Sequence, residues 1–196
     1  ARLTRKEESE IFKTREKLKI FPHYLQVDTC AGEFASSTPY FYSSYWPESS
    51  QPNATLNAIA IIGSGPNRIG QGIEFDYGCV RGVKGFQKMG FSVAMINSNP
   101  ETVSTDYDIS NLLFFEPLTA ESIKEVFRYL KPQGFVAQLG GQTPINIAPQ
   151  LVAFGVPLLG SSLNAIDLSE DRGLFNKICR ELQLKIPNSG MAGSWE

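Results

Sequence analysis

The sequence predicts an α/β fold, in which helices cover both faces of a parallel, Rossmann-like sheet in three layers. The first observation is the run of small and apolar residues at 58–62, which is typical of a buried strand and leads into a glycine-rich turn and a helical pattern at 72–88. The second is that these patterns continue to alternate, with strands at 92–96, 112–115, 134–139 and 156–159 and helices at 119–130 and 143–154. Such alternation favours right-handed crossovers, and ligands then lie beyond the carboxyl ends of the strands.

The segment before the sheet has two parts of different character. Residues 4–20 carry acidic residues first and basic residues last, with Ile11 and Leu18 on one face, and predict a short amphipathic helix. Because this helix is too polar to form a domain, we expect it to pack on a part of the protein outside this sequence. Residues 21–57 are rich in aromatic, Ser, Thr and Pro residues. A loop of this length is uncommon inside a compact domain, so we expect a linker that packs on a neighbouring domain through its aromatic side chains.

Two of the predicted helices have recognisable N-caps. Thr119 precedes a helix that is expected to end near Leu130. Residues 165–184 predict a single amphipathic helix that is capped by Ser169. The apolar stripe of that helix consists of Leu174, Ile178 and Leu182.

Composition and charge exclude several classes of function. A net charge of −2 gives no electrostatic reason to expect nucleic acid or an anionic membrane surface as a partner. No apolar stretch approaches the length of about 20 residues that a membrane span needs, and the first residues lack the apolar core of a signal peptide. The three cysteines are far apart and His23 is the single histidine, which argues against a disulfide framework, a zinc site and a Ser-His triad. We therefore expect a cytoplasmic protein.

The glycine-rich turn after the first strand fits neither of two common nucleotide-binding loops. In the dinucleotide fingerprint G-x-G-x-x-G the third glycine follows after two residues, whereas four residues separate Gly65 from Gly70. That fingerprint also needs an acid at the end of the next strand, where this chain has Asn97. The Walker loop ends in Gly-Lys-Ser or Gly-Lys-Thr, and here Gln71 and Gly72 occupy the last two positions. We therefore expect no self-sufficient nucleotide site in this turn.

Three polar loops are predicted to meet beyond the carboxyl ends of the strands, at 64–74, 97–106 and 140–144. Glu74 would face Glu101 across this rim, and paired carboxylates are suited to accept protons, ammonia or hydrogen-bond donors rather than a phosphate. Arg68 either binds an anion or pairs with one of the acids, and pairing is the favoured alternative. The other interpretation of the second loop is a solvated, self-capping segment without a ligand.

Four motifs are long enough to indicate a family. They are GPNRIGQGIEFDY (65–77), NPETVSTDYD (99–108), GGQTP (140–144) and AIDLSEDR (165–172). These motifs resemble the carbamoyl phosphate synthase large subunit at the start of its second half, and the stretch at 27–45 resembles the segment that leads out of the preceding oligomerisation domain. The resemblance covers about residues 20–190. One departure is that Gly78, Gly82 and Gly85 are expected to loosen a helix, since an interior glycine costs about 1 kcal/mol relative to alanine.

The resemblance implies a fragment of an ATP-dependent ligase. In that family a separate glutaminase subunit or domain releases ammonia from glutamine, one ATP activates bicarbonate, ammonia converts the product to carbamate, and a second ATP phosphorylates carbamate to carbamoyl phosphate. The implied domains are the end of the oligomerisation domain (1–20), a linker (21–57), a pre-ATP-grasp α/β domain (58–166) and the start of an ATP-grasp domain (167–196). ATP and Mg²⁺ or Mn²⁺ are expected in the full-length protein, whereas this chain is expected to bind neither and to be inactive alone.

The resemblance also assigns a role to the polar rim. In the family an interior tunnel carries carbamate between the two active sites, and sheltering a reactive intermediate from water is a physical role for a protein wall. The residues expected to line the tunnel or the carbamate pocket are Asn67, Arg68, Gly72, Glu74, Asn99, Glu101 and Gln142. No catalytic residue and no metal ligand is expected in this chain. The implied partners are the ATP-grasp domain, the oligomerisation domain and the glutaminase, and the product would serve arginine or pyrimidine biosynthesis.

Two other hypotheses are open at this point. One is a free-standing Rossmann-like module that binds a small ligand or a nucleotide. Calorimetric titration with NAD, ATP and acidic metabolites would separate this module from a ligase fragment. The other is an interaction role, in which the aromatic segment docks a partner domain, and it is compatible with the ligase fragment.

Overall fold

The computed structural model describes residues 3–46, 57–66, 73–188 and 190. The chain forms two compact units, Ala1–Leu158 and Leu159–Glu196. The first unit is a sheet covered by helices, which confirms the predicted α/β class. No described helix is both long enough and apolar enough to cross a membrane.

Six strands form the sheet of the first unit in the order β1-β2-β5-β4-β3-β6. Their bounds are β1 His23–Gln26, β2 Tyr40–Ser44, β3 Ala58–Ile62, β4 Ser92–Asn97, β5 Leu112–Phe115 and β6 Phe135–Val136. All neighbouring strands are parallel except β1 and β2, which pair antiparallel. The central strands β3 and β4 are buried along their whole length, as expected for strands covered on both faces.

In the described part of this unit, four helices and one short 3₁₀ turn accompany the sheet. Their bounds are α1 Glu8–Lys17, α2 Glu74–Lys88, the 3₁₀ turn Val103–Thr105, α3 Ala120–Leu130 and α4 Gln142–Ala153. The predicted N-cap of α3 is confirmed, because Thr119 Oγ1 accepts a hydrogen bond from the Ser122 N–H at 3.2 Å. Buried residues of α2 pack against β3, β4 and β5 to form the core: Ile61, Cys79, Val80, Val83, Val93, Met95, Ile109 and Leu113.

The predicted linker contains two strands that the sequence analysis missed. Tyr24 of β1 and Phe41 of β2 are buried, and both rings lie 5.4 Å from the ring of Phe114 in β5. The aromatic residues of this segment therefore extend the sheet of the same unit instead of only coating a neighbouring surface. The last residues of the predicted linker, 47–56, lie outside the described residues.

Helix α1 packs within this chain, which the sequence analysis did not expect, and its packing on a part of the protein outside this sequence stays a prediction. Phe12 stacks on Phe154, which follows α4, with ring centroids 6.0 Å apart. Lys124 of α3 lies 4.0 Å from the Phe12 ring centroid and pairs with Glu16 at 3.0 Å. Although helix α1 is polar, a few aromatic and charged contacts hold it to α3 and to Phe154, which follows α4.

The last two predicted strands are shorter than the sequence analysis expected. Of residues 134–139 only Phe135 and Val136 form β6, and residues 156–159 contribute one isolated bridge between Leu158 and Phe135. Pro157 has no N–H to donate to a ladder, which limits pairing at this edge.

Helix α2 is continuous, contrary to the expectation that its glycines loosen it. A Cβ on Gly82 would lie 2.3 Å from Leu139 Cδ1, and one on Gly78 would lie 3.1 Å from the Leu139 carbonyl oxygen. These two glycines let α2 approach Leu139 closely, so the lost helix propensity is offset by packing.

The second unit has two helices where the sequence predicted one. They are α5 Leu163–Glu170 and α6 Arg172–Glu181. Ser169 is not a cap, since its hydroxyl donates to the carbonyl oxygen of Ala165 at 2.9 Å. Instead, Asp171 leaves the helical conformation, and its Oδ1 accepts from the Leu174 N–H at 2.8 Å. A carboxylate cap at this position starts a new helix, so the prediction of a single helix is wrong.

Candidate functional site

Three loops meet at the carboxyl ends of the central strands, as the sequence predicted. Thr143 Oγ1, in the first turn of α4, donates to the carbonyl oxygen of Ser64 at 3.0 Å. The Gly65 N–H donates to Asn97 Oδ1 at 3.1 Å. These two bonds join the ends of β3 and β4 to the start of α4. We call the edge formed by residues 63–66, 97–105 and 140–143 the rim.

Asn97 is the central polar side chain of the rim. It is 0% exposed, and its Oδ1 accepts from the N–H groups of both Gly65 and Asn99. Its Nδ2 lies 3.4 Å from Ser104 Oγ, to which it donates. Gly63 leaves the space for this amide, because a Cβ there would lie 2.6 Å from Asn97 Nδ2. Asn97, which stands where the dinucleotide fingerprint needs an acid, therefore has a structural role and holds two loops together.

In the described part of the glycine-rich turn, the N–H groups of both glycines bond within the protein. The Gly63 N–H donates to the carbonyl oxygen of Ile96 at 2.9 Å, and the Gly65 N–H is taken by Asn97. A phosphate-binding loop needs several such groups directed at its ligand. The expectation that this turn is not a self-sufficient nucleotide site stays a prediction, because residues 67–72 of the turn lie outside the described residues.

Asp76 lies in the first turn of α2 and is 3% exposed. Its Oδ2 accepts from the Ser104 N–H at 3.0 Å, which ties the 3₁₀ turn to α2. Its Oδ1 has no hydrogen-bond partner among the described residues. The position of Asp76 at a helix N-terminus favours a negative charge there.

The third loop approaches the end of β3 through glycines. A Cβ on Gly140 would lie 2.3 Å from the carbonyl oxygen of Ile62 and 2.9 Å from the carbonyl carbon of Gly63. Gly141 has a φ of +71°, and a Cβ there would lie 2.9 Å from the Phe75 ring. The Gly-Gly pair is therefore required by close backbone approach and by backbone conformation.

The structure places the predicted lining residues as follows. Glu74 and Gln142 are the exposed first residues of α2 and α4. Asn99 Oδ1 accepts from the N–H of Glu101 at 3.0 Å, which shapes the loop and leaves Glu101 exposed. The lining role of these four residues stays a prediction. The remaining predicted residues, Asn67, Arg68 and Gly72, lie outside the described residues.

Titratable groups near the rim give no indication of a nucleophile or a metal centre. Burial, with a smaller contribution from Asp76, raises the pKa of the Cys79 thiol to about 12, so the thiol stays protonated at neutral pH. Burial also raises the pKa of Glu116, at the end of β5, although two hydrogen bonds from Ser43 oppose this shift. Among the described residues, no group of three or more His, Cys, Asp or Glu side chains could hold a metal ion.

Sequence reasoning missed the buried polar residues that build the rim. Asp76 falls on the same face of α2 as Cys79, Val80 and Val83, and a carboxylate on an apolar stripe is a detectable signal of a buried partner. Asn97 likewise follows a run of buried strand residues. The sequence alone gives no means of finding Ser104 as the partner of both.

Comparison with known proteins identifies the family. Residues 55–168 match the family described as the carbamoyl phosphate synthase preATP-grasp domain. The chain belongs to this family. It is 52% identical over 190 residues to the carbamoyl phosphate synthase large chain of Thermotoga neapolitana, and 50% identical over 187 residues to that of Gemmatimonas aurantiaca. The large chain of Rhodopirellula baltica is 49% identical over 193 residues.

These matches confirm the resemblance to the carbamoyl phosphate synthase large subunit. They cover 96%, 95% and 98% of this chain, but only 17%, 17% and 18% of the respective relatives. The chain thus corresponds to about one sixth of a carbamoyl phosphate synthase large chain, and the pre-ATP-grasp family accounts for most of the first unit.

Proposed function

We propose that this chain is part of the large subunit of a cytoplasmic, glutamine-hydrolysing carbamoyl phosphate synthase, from the half that phosphorylates carbamate with ATP. Its rim forms part of the wall of a carbamate passage between the two active sites. The ATP-grasp domain of the full-length protein holds ATP with Mg²⁺ or Mn²⁺, and the oligomerisation domain and the glutaminase are further partners. The chain alone is inactive in this proposal.

The observation that supports a wall most directly is the hydrogen bonding of two N–H groups in the glycine-rich turn. The N–H groups of Gly63 and Gly65 bond to β4 and to Asn97, so they are not available to a phosphate. The loops are also packed so closely at Gly140 that they have no room for a side chain. Closely packed loops whose glycine N–H groups bond within the protein suit a boundary that excludes water better than a loop that binds a nucleotide.

The exposed carboxylates of Glu101, in the rim, and of Glu74, at the start of α2, suit transit rather than tight binding. Glu74 and Glu101 can accept hydrogen bonds from the amino group of carbamate. Their negative charges repel the carboxylate end of the same molecule. A ligand that is attracted at one end and repelled at the other is held weakly, which a passage requires.

The test uses the full-length synthase with Glu101→Trp, which adds bulk at the rim, and Glu101→Gln as a control of nearly wild-type size. We expect the tryptophan variant to lower carbamoyl phosphate synthesis by about tenfold while glutamine hydrolysis and bicarbonate-dependent ATP hydrolysis persist. The glutamine variant should retain most of the synthesis. Gly72→Phe, at another predicted lining residue, should behave as Glu101→Trp does. If Glu101→Trp and Gly72→Phe leave all activities unchanged, the passage is wrongly placed.

A separate measurement tests whether the chain is inactive alone. We expect the isolated chain to hydrolyse no ATP and to bind ATP no more tightly than about 1 mM in calorimetric titration. Micromolar binding of ATP or NAD would instead favour the free-standing ligand-binding module.

A further inference from the structure

We propose that Asp76 is the positioning residue of the rim. Its carboxylate holds the loop that carries Glu101 against α2, and this hold keeps the carbamate passage closed to water. The proposal rests on the proposed function, because it explains how one part of the passage wall is kept in place. Asp76 itself is buried, with 3% of its surface exposed.

The contact that carries the proposal joins two separate elements. Asp76 Oδ2 accepts from the backbone N–H of Ser104 at 3.0 Å, and Ser104 is 0% exposed. A hydrogen bond to a charged acceptor is stronger than one between neutral groups, and breaking it here leaves a buried donor without a partner. Since Ser104 lies three residues after Glu101, this bond fixes the position of the Glu101 loop.

Ser104 also connects Asp76 to the rest of the rim. Its hydroxyl lies 3.4 Å from Asn97 Nδ2, and Asn97 Oδ1 accepts from the Gly65 N–H. Hydrogen bonds therefore run from α2 through the 3₁₀ turn and the end of β4 to the glycine-rich turn. Displacement of Ser104 would remove a support from these elements, because Asp76, Asn97 and Ser104 are all buried.

The chemistry of position 76 favours a carboxylate over an amide. Asp76 is the third residue of α2, where a negative charge is stabilised by the helix N-terminus. An acid at this position often bonds to its own helix cap, but here one oxygen reaches the Ser104 amide of another element. An asparagine would offer one weaker, neutral acceptor and would bury an NH₂ group in place of Oδ1, an atom that has no hydrogen-bond partner among the described residues.

The test compares Asp76→Asn with Glu116→Gln in the full-length synthase. Glu116 is a matched control, because it is also a buried carboxylate that accepts a hydrogen bond from the backbone N–H of another element. That donor is Ser43, at 2.7 Å. Glu116 differs from Asp76 in its place, because it follows β5 and its carboxylate bonds to Ser43 in β2. The first readout is the coupling ratio, which is the amount of carbamoyl phosphate formed per ATP hydrolysed. We expect Asp76→Asn to lower this ratio about fivefold while ATP hydrolysis persists, and Glu116→Gln to leave the ratio unchanged.

An unchanged ratio in Asp76→Asn would overturn the proposal. An equal fall in both variants would overturn it as well, since it would indicate general destabilisation. Amide hydrogen exchange measures the protection of the Ser104 N–H in the wild-type enzyme, so this test needs no variant. The Ser104 amide should be protected, and exchange at the rate of a free amide would overturn the proposal even if Asp76→Asn does not fold.

These outcomes are distinguishable from a failure of the proposed function. If Glu101→Trp and Gly72→Phe do not affect synthesis, the passage is wrongly placed, whatever the Ser104 amide does. If those variants block synthesis and the coupling ratio of Asp76→Asn stays at the wild-type value, the passage stands and only the role of Asp76 is wrong.

Discussion

Replacement of Gly140 by alanine gives the most direct test of how the rim is packed. The added Cβ would lie 2.3 Å from the Ile62 carbonyl oxygen, 2.8 Å from Pro144 Cγ and 2.9 Å from the Gly63 carbonyl carbon. Two of these atoms belong to backbone at the end of a fully buried strand, so they cannot rotate away as a side chain can. We expect a loss of about 3 kcal/mol in the free energy of unfolding, at the upper end of the usual cost of overpacking. For a chain of this size the thermal midpoint should fall by about 6–12 °C.

Gly85→Ala is the matched control for this prediction. A Cβ there would have nothing within 4 Å, and Gly85 lies inside the continuous helix α2. The same chemical change should therefore stabilise the chain by about 0.5–1 kcal/mol through helix propensity. Both variants are measured by urea and thermal denaturation of the 196-residue chain. The reasoning is refuted if Gly140→Ala shifts the midpoint by less than about 2 °C, or if both variants shift it in the same direction.

Two further predictions concern described side chains that are not part of the three loops of the rim. Thr119→Ala removes the oxygen that accepts the Ser122 N–H at the start of α3, and should cost about 1 kcal/mol in urea denaturation, whereas Thr119→Ser should restore most of it. Glu116 has a pKa raised mainly by burial, so its contribution to stability is present below the ordinary value of about 4.3 and is lost as pH rises through the raised pKa. The stability of Glu116→Gln relative to wild type should therefore improve between pH 4 and pH 7 in thermal unfolding, and a pH-independent difference would contradict this reasoning.

The central part of the fold could be predicted because its signals are local. The run Ala58–Ile62 is followed at once by glycines and then by a helix, and these signals lie within thirty-one residues of sequence, 58–88. Strands β1 and β2 could not be predicted in the same way. Tyr24 and Phe41 are aromatic residues in a polar context, and what makes them strand residues is contact with Phe114, which is far away in sequence. Strand formation of this kind depends on a partner rather than on propensity.

The prediction of a helix boundary was wrong where two nearby residues could each cap a helix. Ser169 and Asp171 both have side chains that can cap a helix, and the apolar spacing of the segment does not distinguish between them. In the structure the Asp171 side chain accepts a hydrogen bond from the Leu174 N–H. The Ser169 hydroxyl instead donates to the carbonyl oxygen of Ala165, one turn earlier. The choice depends on the backbone conformation at Asp171, which the sequence pattern does not specify.

The convergence of the three polar loops could be predicted from the sequence, but the hydrogen bonds that hold them together could not. The order of strands and loops places three polar loops at one edge, and the Thr143–Ser64 and Gly65–Asn97 hydrogen bonds confirm this convergence. The bond between Asp76 and Ser104 joins residues 28 positions apart and depends on how α2 lies over β4. Such a contact follows from packing and not from a motif.

The way in which the rim is built also bears on what it can do. A phosphate-binding loop keeps its N–H groups free for a ligand. Here the Gly63 N–H donates to the neighbouring strand and the Gly65 N–H donates to the Asn97 side chain. Where such a loop leaves space for a ligand at its glycines, Gly63 and Gly140 use that space for an amide side chain and for backbone. Glycine therefore serves here to bring loops together rather than to admit a ligand between them. In the proposed passage, these contacts would hold together the described part of a wall around a water-sensitive intermediate.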